Sequence, residues 1–202
     1  KMTNSNILTE IFKSNRTDKF DHGYGEVYES YINKWRDEEI QLCEIGVDRG
    51  NSLRAWKEYF VKAEIIGFDL DKFPQVEDVK IHQMDQLDVT NQYQLCQSLR
   101  LNPHIIIDDG GHTPEMHQKS VIPFFKQLRS GGIYIIEDLQ VCNTTQNLRN
   151  QYKVDEFNNT IQWLKGNIIS PYISYEDERW FFNEIKSMDW HLNDKVVVIR
   201  KK

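Results

Sequence analysis

The chain has 202 residues, 39% of them hydrophobic, enough to bury the core of one domain. With 31 acidic against 25 basic residues the formal net charge is −6, which speaks against nucleic-acid binding through a broad basic surface. No apolar run approaches the roughly 20 residues that cross a bilayer, and three widely spaced cysteines (Cys43, Cys96, Cys142) fit neither a disulfide framework nor a zinc site, which predicts a reducing, cytoplasmic setting.

Residues 1–35 read as an N-terminal helical segment, and short apolar runs then alternate with amphipathic stretches. "IQLCEIG" (40–46) predicts a strand, "SLRAWKEYF" (52–60) a helix, and "AEIIGFDL" (63–70) and "VKIHQM" (79–84) two further strands. "NQYQLCQSLR" (91–100) predicts a helix, "HIIIDD" (104–109) a strand, "PEMHQKSVIPFFKQLR" (114–129) a helix that Pro123 kinks or divides, and "GIYIIED" (132–138) a strand. Strand–helix alternation of this kind builds a parallel sheet with crossover helices. From 140 to 184 the pattern weakens: 152–166 can form an amphipathic helix, 170–182 is aromatic and irregular, and the whole stretch is the expected substrate lid. "EIKSMDWHL" (184–192) and "KVVVIRKK" (195–202), joined by Asn193-Asp194, read as an antiparallel hairpin. The expected fold is one α/β domain over 1–202, mostly parallel, with a C-terminal antiparallel hairpin.

In such sheets ligands bind at the carboxyl ends of the strands, where strand order reverses. Polar residues gather there: Glu44 and Gly46 after the first strand, Asp69 after the second, Asp85 and Gln86 in "MDQLD", Asp108 and Asp109 after the fourth, and Glu137 and Asp138 after the fifth. Asp69 follows Gly46 by 23 residues, the place of the acid that binds ribose hydroxyls in nucleotide-binding βαβ units, which favours an adenosine-containing ligand. Asp108 and Asp109 are neighbours on a strand and point to opposite sides, so one can face that ligand and the other a second site. If the fourth and fifth strands pair, their ends lie about 5 Å apart, and Asp109, Glu137 and Asp138 can converge, provided the chain turns between Glu137 and Asp138. Three carboxylates at one point call for a divalent cation, Mg²⁺ by preference, with Mn²⁺ or Ca²⁺ also suited to oxygen ligands. His112 then stands beside the metal as a general base.

These motifs resemble the class I S-adenosylmethionine (SAM) methyltransferases, and within them the metal-dependent sugar O-methyltransferases of macrolide biosynthesis of the mycinamicin and tylosin type. "RTDKFDHGYGEVYESY", "EIGVDRGNSLRAW", "GFDL", "MDQLD", "IIIDDGGHTPEMHQ" and "LRSGGIYIIEDLQ" carry the resemblance, and the pairing of "DDGGH" with "GGIYIIED" is its specific part. The resemblance implies a Rossmann-like fold with SAM as cofactor. It implies Asp109, Glu137 and Asp138 as metal ligands, His112 as catalytic base and Asp69 as the ribose-binding acid. Asp85 and Gln86 would face the adenine and Asp108 the methionine moiety; Thr17, Glu44, Gly46 and Ser52 would make other cofactor contacts, and His22, Tyr24 and Tyr28 would line the pocket.

The expected reaction is Mg²⁺-dependent methylation of a sugar or glycosylated small molecule, with the metal chelating two vicinal hydroxyls and His112 taking the proton. The expected partners are that acceptor and, in a homo-oligomer, a second copy of the chain. Two alternatives use the same acids: a metal-dependent hydrolase, and a catechol-type O-methyltransferase, whose expected lysine base is missing from "DDGGHTPEMHQ".

Overall fold

Two short helices open the chain in the computed structural model, which describes residues 6–71, 75–142 and 146–202, with only the backbone at 146–148. Helix α1 (Ile7–Ser14) starts where the Asn6 side chain accepts a hydrogen bond from the Thr9 N–H, satisfying one free donor of the first turn. A loop leads to α2 (Tyr24–Ile32) and a 3₁₀ turn at Asn33–Trp35. Strands β1 (Gln41–Ile45), β2 (Glu64–Asp69), β3 (Lys80–Gln83), β4 (Ile105–Asp108) and β5 (Ile133–Ile136) follow, with α3 (Asn51–Tyr59), α4 (Val89–Ser98) and α5 (Pro114–Gln127) between them. Helix α5 runs through Pro123 without a break, so the division expected there does not occur.

The sheet also takes in β6 (Ile185–His191) and β7 (Val196–Lys201), in the order β3-β2-β1-β4-β5-β7-β6. The first five strands are parallel and the last two antiparallel, as the alternating pattern and terminal hairpin imply. The hairpin link is longer than the two residues expected: Leu192, Asn193 and Asp194 all take left-handed backbone angles (φ 53°, 56°, 63°) before Val196 begins the return strand. Alternate strand residues face opposite layers. Cys43, Ile45, Ile66, Phe68, Ile106, Tyr134 and Ile136 pack with α5 residues Val121, Phe124 and Phe125. Leu42, Ile65, Ile105, Ile107, Ile133 and Ile135 pack under Phe12, Tyr24, Tyr28, Leu53 and Trp56. The N-terminal helices thus roof the sheet beside α3, which brings the loop between them over the ends of β1, β4 and β5.

Two expectations for 140–184 need correction. In place of a continuous helix over 152–166 only α7 (Thr160–Leu164) forms, preceded by α6 (Gln146–Gln151). The reason is local: Asp155 Oδ1 accepts from the Phe157 and Asn158 N–H groups, and Asn159 caps α7 by accepting from the Gln162 N–H, so short polar side chains outcompete helical bonding between them. The stretch 170–182 is not irregular, because α8 (Tyr175–Glu184) forms behind a Ser174 cap with three acids in its first turn. Phe181 is fully buried, stacked on Trp163 at 5.5 Å and edge-on to Phe125 at 4.9 Å, so α8 belongs to the core.

Candidate active site

Strand order reverses between β1 and β4, since the chain passes from β1 out to β2 and β3 and returns through β4 on the other side. Above that point lies a cleft of about 610 Å³, within the size range of small-molecule sites. Its walls include Thr17, Gly46, Ser52, Asp69, Asp85, Gln86, Asp109, His112 and Asp138. Gly46 sits at φ +90°, and a Cβ there would lie 2.0 Å from the carbonyl oxygen of Asp109. Only glycine lets the β1 turn run this close to the β4 turn.

Asp69 closes one side of the cleft. Its Oδ2 accepts from the Val47 N–H at 2.6 Å and the Asp48 N–H at 3.3 Å, fixing the glycine-bearing loop against β2. Asp85 accepts from the Leu87 N–H at 2.8 Å and shapes the next loop. Gln86 joins two loops: its Nε2 donates to Asp108 Oδ1 (3.0 Å) and its Oε1 accepts from the Gly111 N–H (2.7 Å).

The acids then separate into layers that linear spacing does not reveal. Asp108, expected to face the cofactor, is fully buried away from the cleft, where Tyr134 and Gln86 donate to it. Burial pushes its carboxyl up to about 7, against those hydrogen bonds. Glu44 also lies beneath the cleft rather than in its wall, accepting from Ser52 Oγ (2.8 Å) and Trp56 Nε1 (3.2 Å), and burial pushes it up to about 7. Glu137 lies there too, with Tyr28 donating to its Oε1. Burial and the charge of Asp109 raise its pKa, opposed by Lys19 and Tyr28. His22 stacks on Tyr24 at 5.2 Å; neither it nor Tyr28 reaches the cleft wall.

Lys19, in the loop between α1 and α2, is the functional residue that the sequence reading missed. Its ammonium is 2.6 Å from Asp109 Oδ2, 2.8 Å from both oxygens of Glu137 and 3.3 Å from Glu44 Oε1. The available signal was five acid-bearing strand ends with no lysine or arginine side chain assigned to them, and a lysine in "RTDK". Burial works against the ammonium charge, but Asp109, Glu137 and Glu44 together hold its pKa well above the usual lysine value. In this arrangement the three acids favour the charged form of Lys19.

At the mouth of the cleft the chain turns as convergence requires. Asp138 takes a left-handed conformation (φ 56°) that swings it away from Glu137, and His112 does the same (φ 58°) after the two glycines. His112 Nε2 then lies 3.7 Å from Asp138 Oδ2 and 3.9 Å from Asp109 Oδ1. Tyr24 donates to Asp138 Oδ1 at 2.5 Å. Burial raises the pKa of Asp138, but the Tyr24 hydrogen bond and His112 outweigh it, and the net shift is downward, which keeps the group ionised. Asp109, His112 and Asp138 each present one ligand atom within 4.8 Å of the others. The two carboxylates suit Mg²⁺ or Mn²⁺, which prefer oxygen ligands. Of the expected ligand triad, Asp109 and Asp138 are thus brought together with His112, while Glu137 is held one layer deeper by Lys19.

The fold as a whole is shared with solved methyltransferases. MycE, a methyltransferase from the mycinamycin biosynthetic pathway in complex with Mg and SAH, superposes with a TM-score of 0.78 at 23% identity, over 98% of this chain and 55% of that one. The fold is that of the class I methyltransferases. A second MycE structure, with Mg, SAH and mycinamycin VI, superposes with a TM-score of 0.75. In sequence, the chain is 31% identical over 144 residues to mycinamicin VI 2''-O-methyltransferase of Micromonospora griseorubida, covering 65% of this chain and 36% of that protein. It is 34% identical over 128 residues to demethylmacrocin O-methyltransferase of Streptomyces fradiae, covering 58% of this chain and 32% of that protein. These curated relatives are O-methyltransferases, and the chain spans about a third of their length. No family model matches the chain.

Proposed function

We propose that the chain is a SAM-dependent, divalent-metal-dependent O-methyltransferase acting on a hydroxyl of a sugar or glycosylated small molecule. The observation that carries this reading is the grouping of Asp109, His112 and Asp138 at the mouth of the switch-point cleft. The cleft supports SAM as donor: Asp69 stands where a ribose-binding acid is expected, and Thr17, Gly46, Ser52, Asp85 and Gln86 line the same space. Asp109 and Asp138 would hold the metal through their outward oxygens. Glu137 can join them only by giving up its contacts with Lys19.

A bound divalent ion would supply the Lewis acidity that brings a hydroxyl, ideally one of a vicinal pair, toward ionisation near neutral pH. His112 Nε2 accepts the released proton. The ring lies between Asp109 and Asp138, with Nε2 3.9 Å and 3.7 Å from their oxygens. The protein's remaining contribution is orientation, since the sulfonium of SAM is already an activated methyl donor. Tyr152, with its ring 6.2 Å from that of His112, would border the acceptor, which narrows the expected lid to the region around α6. The catalytic setting needs no basic surface and no bilayer; no helix among the described residues is long and apolar enough to cross a membrane.

The test combines calorimetry with methyl transfer from labelled SAM to a panel of sugars and glycosides. SAM should bind without metal, and transfer should require Mg²⁺. The variant His112→Ala should keep SAM affinity and lose about 10²–10⁴-fold in turnover. Failure to bind SAM would remove this reading in favour of a metal-dependent hydrolase, and retained turnover in the variant would remove His112 as base.

A further inference from the structure

Glu44, Asp109, Glu137 and Asp138 meet within one small volume, and among the described residues the basic side chains in ion-pair range of them are Lys19 and His112. His112 serves the outer pair. Lys19 serves the inner side, almost wholly buried, with Asp109 Oδ2 at 2.6 Å and Glu137 Oε2 at 2.8 Å. Two of the three acids expected to bind a divalent ion are thus the two that Lys19 grips most closely.

We propose that Lys19 and a divalent cation compete for the same oxygens of Asp109 and Glu137, so that Lys19 sets the metal affinity of the site. This inference rests on the metal-dependent reading above. A small divalent ion binds oxygens at about 2.0–2.1 Å. An ammonium already on those oxygens would leave a double and a single positive charge a few ångströms apart in a poorly solvated place, where Coulomb repulsion is strong. Relief comes from moving the lysine. Lys19 lies in a loop, outside any helix or strand, beside Thr17 and Asp18 of the cleft wall, and in the proposed exchange its ammonium moves toward that cleft. The acids left behind keep other donors: Tyr28 on Glu137, Ser52 and Trp56 on Glu44, Tyr24 on Asp138. Lys19 touches no reacting atom in this scheme. It is a positioning residue that keeps the buried acids neutralised until a metal replaces it.

The experiment titrates Mg²⁺ into the wild-type chain and Lys19→Met by calorimetry, with thermal unfolding in parallel. The variant should bind Mg²⁺ about tenfold more tightly or better, having lost a competing charge, and Mg²⁺ should raise its unfolding temperature more than that of the wild type. Unchanged or weaker Mg²⁺ binding by the variant overturns the inference. Should the variant not fold without metal, amine labelling of the wild type, read by peptide mass spectrometry, decides the matter. Lys19 should be protected in a chelator and become labelled at saturating Mg²⁺; protection that persists at saturating Mg²⁺ overturns the inference. Absence of Mg²⁺ binding to either protein, with SAM binding intact, would instead overturn the metal reading and this inference with it.

Discussion

Replacing Gly46 by alanine tests whether the close approach of the β1 and β4 turns builds the site. The added Cβ would lie 2.0 Å from the Asp109 carbonyl oxygen and 2.6 Å from its carbon, against a practical minimum of 3.0 Å, and both atoms are backbone. The two turns must part by about 1 Å, and Asp109 moves with them. The left-handed backbone angle costs an L-residue about 1–2 kcal/mol, and forced separation of packed groups adds about 1–3 kcal/mol. At about 2–4 °C per kcal/mol for a domain of this size, the unfolding temperature should fall by roughly 4–20 °C. Gly131→Ala is the control: its φ is also positive (+75°), but a Cβ there meets nothing within 4 Å, so only the backbone term applies. Thermal unfolding of the two variants, with SAM calorimetry on each, separates contact from conformation. Gly46→Ala should be the less stable of the two and should lose SAM affinity, which Gly131→Ala should keep. Equal stability and equal SAM binding would refute the view that backbone proximity at Gly46 shapes the site.

Three other outcomes follow from the same structure. Asp108, raised to about 7 by burial, holds its proton in the folded state at pH values where the unfolded chain has released it, so its contribution is present at low pH and lost as pH rises from about 4 to about 7. Urea unfolding across that range should show a smaller fall of stability with pH in Asp108→Asn, by up to about 1.4 kcal/mol per pH unit, and an unchanged slope would contradict the assignment. Phe181→Ala should cost about 3–5 kcal/mol while SAM affinity stays near wild type, because this ring is core; denaturant unfolding and calorimetry check both halves, and a variant of normal stability would return α8 to the role of a lid. Asp138→Asn should weaken Mg²⁺ binding by calorimetry without weakening SAM binding, whereas equal Mg²⁺ affinity would remove Asp138 from the metal site.

The parts of the site most legible in the sequence were those fixed by strand ends. The acids at Asp69, Asp85 and Asp109 reach the cleft because a parallel sheet sends all its carboxyl ends to one rim, and alternating apolar runs announce such a sheet. Local competition defeated the reading elsewhere. The Asp155–Asn159 stretch carries enough helical pattern to suggest continuity, yet its side chains bond their own backbone. The aromatic run at 170–182 looked irregular because its buried face, centred on Phe181, is defined by α5 and α7, far away in sequence.

Periodicity and the geometry of strand ends account for the fold class, the mostly parallel sheet with crossover helices, and the rim on which chemistry gathers. The sequence by itself also required a turn between Glu137 and Asp138 for both to take part. Only the tertiary structure decided which acids share a partner. The left-handed turns at His112 and Asp138 bring those residues to Asp109, while the roofing by the N-terminal helices delivers Lys19 across 90 residues to Asp109 and 118 to Glu137. Burial then ranks the acids: those sealed under the roof need an internal cation, and those at the mouth remain open to one from solution.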